Sequence, residues 1–147
     1  MSEREIFIPP GGPPRIQPPS HDIYPAMGEL NIMRMLEDFY GELSRSKIAY
    51  MFPKEEAELA KAAQKSGFFF VGLLGGPPLY HQLIGPPMMR ARHMPFLIDE
   101  KSRQEWLACF DRVLDSAVEK YEFPAEHLEG FRAFLGGFSG WMVNHAK

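Results

Sequence analysis

The sequence contains a single cysteine, no long apolar run and no excess of basic residues. Cys109 is the only cysteine in 147 residues, so no internal disulfide can form, and we expect a reducing, cytoplasmic environment. The longest apolar run, residues 67–74, is far shorter than the roughly 18 residues that a membrane-spanning helix needs. The N-terminus also lacks the basic start and apolar stretch of a secretion signal. We therefore expect no membrane partner.

Charge and composition narrow the class of protein further. Sixteen basic and nineteen acidic residues give a formal charge of -3, which argues against a broad basic face for nucleic acid. The chain is 45% hydrophobic and 13% aromatic, which is enough to fill the core of one domain. No stretch shows the strict polar and apolar alternation of a half-buried strand. This pattern predicts an all-α domain.

The first 22 residues differ from the rest of the chain in composition. They hold six of the fourteen prolines, with Gly11 and Gly12 between them, which predicts an extended, flexible segment without a core of its own. We interpret residues 1–22 as a linker-like extension and residues 23–147 as the folded domain. A docking segment for a proline-recognising partner is the alternative. The apolar residues 6–8 are candidates for packing onto the domain.

Two helices are predicted in the first half of the domain. From Glu29 onward apolar residues recur every three or four positions, as on one face of a helix. A second helix should begin at Pro53 and end near Leu74, because proline suits the first helical position and Gly75 or Gly76 provides a left-handed stop. The inner face of the first helix is assigned to Leu30, Met33, Leu36, Phe39, Tyr40 and Leu43.

Two more helices are predicted in the second half. Asp99 is expected to cap a long helix over residues 100–121, and a final helix should begin near Pro124. Three glycines at 136, 137 and 140 weaken that last helix by about 1 kcal/mol each relative to alanine, so we expect a neighbour to pack closely against them. The apolar inner faces hold Trp106, Phe110, Val113, Leu114, Ala117 and Val118 in one helix, and Leu128, Phe131, Phe134, Leu135, Phe138, Trp141 and Met142 in the other.

His93 is the candidate functional residue. A lone histidine cannot hold a bare zinc ion, which needs three or four protein ligands, but it can hold an iron whose other positions a porphyrin fills. The prolines and glycines before it leave a short helical turn over residues 88–93. Arg90 and Arg92 suit a ligand with carboxylates at its rim, and Met89 and Phe96 suit its apolar body. A histidine that caps a turn and is satisfied by backbone is the structural alternative.

The segment around His93 resembles the group II truncated haemoglobins. The similarity rests on Gly75-Gly76-Pro77-Pro78-Leu79-Tyr80, on the run from Met89 through Arg90, Arg92 and His93 to Pro95-Phe96, and on Trp106. It extends from about residue 23 to residue 144 and includes Asp38-Phe39-Tyr40, Phe52-Pro53, Trp106-Leu107-Ala108-Cys109 and Met142-Val143-Asn144. This resemblance implies a globin-like, truncated two-over-two helical sandwich that binds haem b, iron protoporphyrin IX.

The resemblance also implies roles for individual side chains. His93 would bond the iron through Nε2 while its Nδ1 proton goes to a backbone carbonyl in the preceding turn. Tyr40 and Trp106 would face a bound gas from the opposite side, where hydrogen-bond donors in a dry pocket stabilise O2 over CO. Without the resemblance, both aromatic residues read equally well as ordinary core residues.

Further residues complete the implied pocket. Phe52 would brace the haem edge, and Ala62 and Ser66 would face the ligand, with Ala63 and Gly67 as the alternatives in register because this chain has about two extra residues before Gly75. The candidates for the haem propionates are Arg92, Arg90 and Tyr80. Apolar contacts that would retain the porphyrin are expected from Phe69, Leu79, Ile84, Met89, Phe96 and Phe110.

Three functions are compatible with this interpretation. The first is reversible binding of O2, and of CO or NO, on ferrous haem by a monomer or homodimer served by an unidentified reductase. The second is an enzyme that oxidises NO or turns over peroxide on the same haem. The third is a helical module that has lost its cofactor and acts through protein contacts. The combination of His93, Tyr40 and Trp106 counts against the third.

Overall fold

The computed structural model describes residues 6–13 and 15–146, and every regular element in these ranges is a helix. The all-α prediction is thereby confirmed. None of these helices is both long enough and apolar enough to cross a membrane. The elements are α1 Ile23–Ser44, α2 Glu56–Leu73, α3 Leu79–Leu83, α4 Met89–His93, α5 Glu100–Leu114, α6 Ala117–Lys120 and α7 Leu128–Met142, with 3₁₀ turns at Ala49–Met51 and Ala125–His127.

The four long helices form two packed pairs. Helix α1 packs against α2, α5 packs against α7, and α1 also contacts α5, which joins the two pairs. The short helices lie at the periphery, with α3 against α2 and α4 against α7. This is the two-over-two arrangement that we expected. It leaves α4, which carries His93, attached to the rest of the domain mainly through α7.

Phe110 lies at the centre of the core. Its side chain is fully buried and stacks on Phe39 with the ring centroids 4.0 Å apart. The rings of Phe70, Phe131 and Trp106 surround it at 5.8, 5.7 and 5.5 Å. Tilted and edge-on contacts between aromatic rings stabilise a core beyond the contribution of apolar burial alone. Phe110 therefore supports the ring of Trp106 from the core.

Helix α1 is kinked at Gly28, whose φ of 79° and ψ of 161° are non-helical. The regular apolar spacing predicted from Glu29 begins directly after this kink. Beyond it α1 buries Ile32, Met35, Leu36, Phe39 and Leu43. Leu30 is 75% exposed, so its assignment to the inner face was wrong. A residue two positions from Ile32 lies about 200° around a helix, on nearly the opposite side.

Helix α2 ends in a Schellman motif. Gly75 has a φ of 107°, its N–H donates to the Gly72 carbonyl, and the Gly76 N–H donates to the Val71 carbonyl. The predicted glycine stop is confirmed. The predicted start at Pro53 was too early, because the helix begins at Glu56 with Glu55 in extended backbone before it.

The long helix predicted over residues 100–121 is two helices. Asp99 caps α5 as expected, since its carboxylate accepts a hydrogen bond of 2.8 Å from the Ser102 N–H. The helix stops at Leu114, and α6 begins at Ala117. Because the chain turns between them, Val118 does not continue the inner face of α5 and is 41% exposed.

The proline-rich segment lies against the domain without forming a helix or strand over its described residues. Phe7 is half-buried and its N–H donates to the Asn144 carbonyl, whereas Ile6 and Ile8 are exposed. Ile16 packs on the core, and a Cβ built on Gly137 would lie 3.0 Å from its side chain. The extension thus supplies one of the close neighbours expected for the α7 glycines. Residues 1–5, which the flexibility prediction also covers, lie outside the described residues.

Candidate functional site

His93 is held in one orientation by its own helix. Its Nδ1 lies 2.6 Å from the Met89 carbonyl oxygen, so the ring nitrogen that donates to the backbone is Nδ1. Nε2 makes no hydrogen bond within the described parts of the chain and is available to a ligand. Helix α4 starts after Met88, a non-glycine residue at a φ of 37°. The preceding proline turn is fastened to α4 by Arg92, which donates to the carbonyls of Pro86 and Pro87.

A cavity of about 300 Å³ opens beside His93. Its size lies at the lower end of the range for small-molecule and cofactor sites. Most of the lining is apolar and comes from α1, α2, α5, α7 and the turns around α4. The lining residues are Tyr40, Ile48, Met51, Phe52, Pro53, Ala62, His93, Phe96, Ile98, Ser102, Arg103, Trp106, Phe138, Ser139 and Met142.

The structure brings six of the predicted site residues to this one cavity. Besides His93 they are Phe96, Tyr40, Phe52, Ala62 and Trp106. Of the two residues considered for the same position, Ala62 lines the cavity, whereas Ala63 is buried at 2% exposure and does not. Residues separated by up to 66 positions in the sequence thus surround the same space.

Tyr40 contributes a phenol hydroxyl to the lining of the cavity. Burial raises the pKa of its hydroxyl above the usual value, and a hydrogen bond with Ser66 acts in the opposite direction. The phenol therefore stays protonated at neutral pH and can act as a donor. Its ring meets Phe52 edge-on at 5.7 Å. Ser66 does not line the cavity itself, and its link to the cavity is the hydrogen bond with Tyr40.

Several predicted contacts do not line the cavity. Phe110 lies in the core, and Phe69 contacts the rings of Phe70, Tyr80 and Phe138. Tyr80 is buried, and the guanidinium of Arg92 lies 5.2 Å from the centre of its ring. Met89 contributes its carbonyl to His93.

Arg90 does not line the cavity. Its Nη1 donates to the Val143 carbonyl at 3.0 Å and to the Trp141 carbonyl, and its Nη2 donates to the Phe7 carbonyl at 2.9 Å. The guanidinium also lies 4.3 Å from the centre of the Trp141 ring. The carbonyl partners lie in the N-terminal extension and at the end of α7. The Arg90 guanidinium that we predicted for a propionate therefore bonds other parts of the protein.

Sequence reasoning missed a polar corner of the cavity formed by Ser102, Arg103 and Ser139. Arg103 donates from Nε to the Ser139 hydroxyl at 3.1 Å, from Nη2 to the Gly136 carbonyl at 2.9 Å and from Nη1 to Glu100 at 2.8 Å. The corner arises where the first turn of α5 meets the last turns of α7. The α7 glycines gave no signal for it, because a Cβ on Gly136 or Gly140 would lie 3.9 or 3.6 Å from the Arg103 side chain, at ordinary contact distance.

The donor set of the cavity fits a haem better than a bare metal ion. Among the described residues no three His, Cys, Asp or Glu side chains lie close enough together to hold a metal ion. The cavity instead offers a single oriented imidazole and a mostly apolar lining that includes the side chains of Tyr40 and Trp106. A porphyrin iron needs only one or two ligands from the protein, and histidine is one of the residues that supply them.

A two-over-two helical sandwich with a single histidine beside an apolar cavity is the arrangement of a small globin. A family model for bacterial-like globins matches residues 22–137. The chain is 37% identical over 93 residues to the group 2 truncated hemoglobin YjbI of Bacillus subtilis, covering 63% of this chain and 68% of that protein. The chain therefore belongs to the bacterial-like globin family, in its group II truncated haemoglobin branch.

Solved structures support the same placement. Phosphate-bound Hell's gate globin IV has a TM-score of 0.84 at 36% identity, over 100% of this chain and 88% of that chain. The truncated oxygen-avid haemoglobin from Bacillus subtilis has a TM-score of 0.73 at 32% identity, over 82% of this chain and 98% of that chain. The predicted family and fold are confirmed, and family membership implies a haem and a gaseous ligand.

Proposed function

We propose that this protein holds haem b through Nε2 of His93 and binds O2 and related diatomic gases reversibly. The haem supplies the ferrous iron on which the gas binds. The observation that carries the proposal is the fixed imidazole of His93, whose Nδ1 is held by Met89 beside an apolar cavity. The hydrogen bond at Nδ1 orients the ring and strengthens Nε2 as a ligand.

Tyr40 and Trp106 act as the hydrogen-bond donors toward the gas. Both line the cavity, and both are supported by the aromatic core, since Trp106 meets Phe39 edge-on at 5.3 Å. Ser66 orients the Tyr40 hydroxyl, and Ala62 leaves room for a small ligand. Donors in an environment from which water is excluded act more strongly than they would in solvent.

The haem rim is held by apolar contacts and by a cation at the edge of the site. Phe52 and Phe96 cover the porphyrin edge. Arg92 remains our candidate for a propionate, because Nη1 of its guanidinium makes no hydrogen bond among the described residues. Such an exposed ion pair contributes only about 0 to 1 kcal/mol, so retention depends mainly on His93 and apolar burial.

Replacement of His93 tests the proposal directly. His93→Ala should abolish stable haem b binding or give a holoprotein whose Soret band is restored by added imidazole. His81→Ala, at an exposed histidine on α3, is the matched control and should leave the spectrum unchanged. A His93→Ala protein with the wild-type spectrum in the absence of imidazole would contradict the proposal.

The distal assignment is tested by the rate of O2 release. Tyr40→Phe and Trp106→Phe should each accelerate dissociation, since the loss of one good donor costs about 1 to 3 kcal/mol. Tyr50→Phe is the control, because Tyr50 is exposed. Stopped-flow displacement of O2 by CO measures the rate. Unchanged rates in both distal variants would remove these residues from the site.

This function also requires an electron donor. The iron must be returned to the ferrous state after oxidation, so we propose a cellular reductase as a partner and a monomer or homodimer as the assembled form. Sedimentation of the holoprotein and its reduction by cell extract are the measurements that test these points.

A further inference from the structure

The five-residue helix that carries His93 has little packing of its own. None of the residues in α4, Met89–His93, is buried, and the chain between Ile84 and Asp99 has no other regular element. A helix this short is not stable by itself, because most of its backbone groups lie in the first and last turns. Its position must therefore be fixed by other parts of the chain.

Asn144 fixes the chain directly after His93. This residue is fully buried, and its Nδ2 donates to the Phe96 carbonyl at 3.0 Å and to the His93 carbonyl at 3.4 Å. Its Oδ1 accepts from the Ile98 N–H at 3.0 Å, and its own N–H donates to the Ile98 carbonyl at 2.9 Å. One side chain thus binds three backbone groups between positions 93 and 98.

Arg90 attaches the same helix to the end of α7. It lies one turn before His93 and donates to the carbonyls of Trp141, Val143 and Phe7. Burial lowers the pKa of this guanidinium. Hydrogen bonds from a charged donor are about twice as strong as neutral ones. Arg90 therefore joins α4 to the end of α7 and to the proline-rich segment.

Phe7 connects the two anchors. Its carbonyl accepts from Arg90 and its N–H donates to the Asn144 carbonyl at 3.1 Å. The backbone of one residue in the N-terminal extension thus bonds both residues that hold α4. We call the set of Arg90, Asn144 and Phe7 the proximal clasp.

We propose, on the basis of the haem function proposed above, that the proximal clasp is a positioning device that sets the orientation of His93 toward the haem iron. Arg90 and Asn144 are its positioning residues, and the N-terminal extension closes it through Phe7. The extension is thereby part of the haem site although it does not line the cavity. Loosening any member leaves Nδ1 bonded to Met89 but lets the whole helix shift.

Two substitutions remove the side-chain members in the full-length holoprotein. Arg90→Met keeps the length of the side chain and loses its donors. Asn144→Asp keeps the acceptor for Ile98 and places a carboxylate against two carbonyls. Each should accelerate haem transfer to an excess of an apo-globin acceptor by about 10-fold, the size expected for charged or buried hydrogen bonds. Each should also shift or broaden the iron–imidazole stretching band in resonance Raman spectra of the ferrous protein.

Matched controls separate positioning from general effects. Arg132→Met removes a surface arginine of α7 that pairs with Asp111 and Asp115, and Asn31→Asp changes a half-buried asparagine of α1. Neither control should alter the stretching band. A clasp variant that loses fold stability without a change in that band would mean that the residue is only structural.

The role of the extension is tested at Phe7. Phe7→Ala and Phe7→Pro both remove the ring, but only Phe7→Pro removes the N–H that bonds Asn144. Phe7→Pro should increase the rate of haem transfer more than Phe7→Ala does. This pair keeps the proposal testable if Arg90→Met does not fold.

The outcomes distinguish this inference from the proposed function. If wild-type protein gives an iron–imidazole band that His93→Ala abolishes, but the Arg90, Asn144 and Phe7 variants leave both the band and the transfer rate unchanged, the clasp is overturned and the haem function stands. If wild-type protein gives no such band, the proposed function itself has failed.

Discussion

Arg90 and Arg92 lie two positions apart on α4 and carry the same guanidinium in different surroundings. Arg90 is bonded by carbonyls from both ends of the chain, whereas Arg92 is exposed and holds the loop of Pro86 and Pro87. A difference of two positions on a helix turns the side chain by about 200°. Arg90 is therefore half-buried and bonded to other segments of the protein, whereas Arg92 lies at the surface.

Asp99 allows a prediction about pH. The Ser102 N–H holds the pKa of this carboxyl below its usual value, although burial acts against it. A lowered pKa in the folded state means that the carboxylate stabilises the protein above its unfolded pKa of about 4, and that this contribution is lost as the pH falls through the folded pKa. Wild-type stability should therefore decrease on acidification in part through Asp99.

Two variants isolate this contribution. Asp99→Ala should lower the free energy of unfolding at pH 7 by about 1 kcal/mol because the cap is lost. Asp99→Asn keeps an acceptor without the titrating charge, so its deficit relative to wild type should shrink between pH 5 and pH 2. Urea titrations at several pH values measure both effects. A deficit that grows on acidification would contradict the assignment.

At the scale of the element, Gly130 and Gly75 differ in whether the surrounding structure leaves room for a side chain. Gly130 lies in α7, and a Cβ there would meet nothing within 4 Å. Gly75 has a φ of 107°, and a Cβ there would lie 2.3 Å from the His21 carbonyl oxygen. Position 130 therefore tolerates a side chain. Position 75 requires glycine, both because of its left-handed backbone and because a Cβ would collide with His21.

Alanine at these positions should have opposite effects. Gly130→Ala should raise the free energy of unfolding by about 0.5 to 1 kcal/mol, because alanine loses less backbone entropy in a helix. Gly75→Ala should lower it by more than that amount, because the left-handed backbone and the contact with His21 both become unfavourable. Chemical denaturation of both variants is the measurement. Equal effects of the same sign would refute the explanation.

The helices were predictable where local chemistry decides their ends. The apolar period after Gly28, the cap at Asp99 and the stop at Gly75 all depend on residues within one or two turns, and each was identified from the sequence. The break between Leu114 and Ala117 was missed, because the apolar period continues through it. The orientation of Arg90 was also missed, since its partners lie more than 50 positions away.

At the scale of the whole molecule, haem binding should stabilise the fold. A ligand that binds only the native state adds about 4 kcal/mol at a thousand-fold excess over its dissociation constant. Haem b should therefore raise the melting temperature of the wild-type protein, and metal-free protoporphyrin IX should raise it less because it cannot bond His93. In His93→Ala the two compounds should give similar shifts. Calorimetry of all four combinations measures this, and equal shifts in wild type would argue against iron ligation.

The cavity could be anticipated only in outline. The family motifs identified His93, Tyr40, Phe52, Ala62 and Trp106, and all of them line one space. The polar corner at Arg103 depends on how α5 crosses α7, which no local pattern encodes. The contacts of the extension depend in the same way on the completed fold.

The backbone hydrogen bond between Phe7 and Asn144 makes the two ends of the fold neighbours. A short peptide joining them would close the chain into a ring, and a new opening at the exposed residues 54–55 would leave α1, α2, α4 and α7 uncut. Such a circular permutant should retain the native core, since new termini are tolerated at exposed loops.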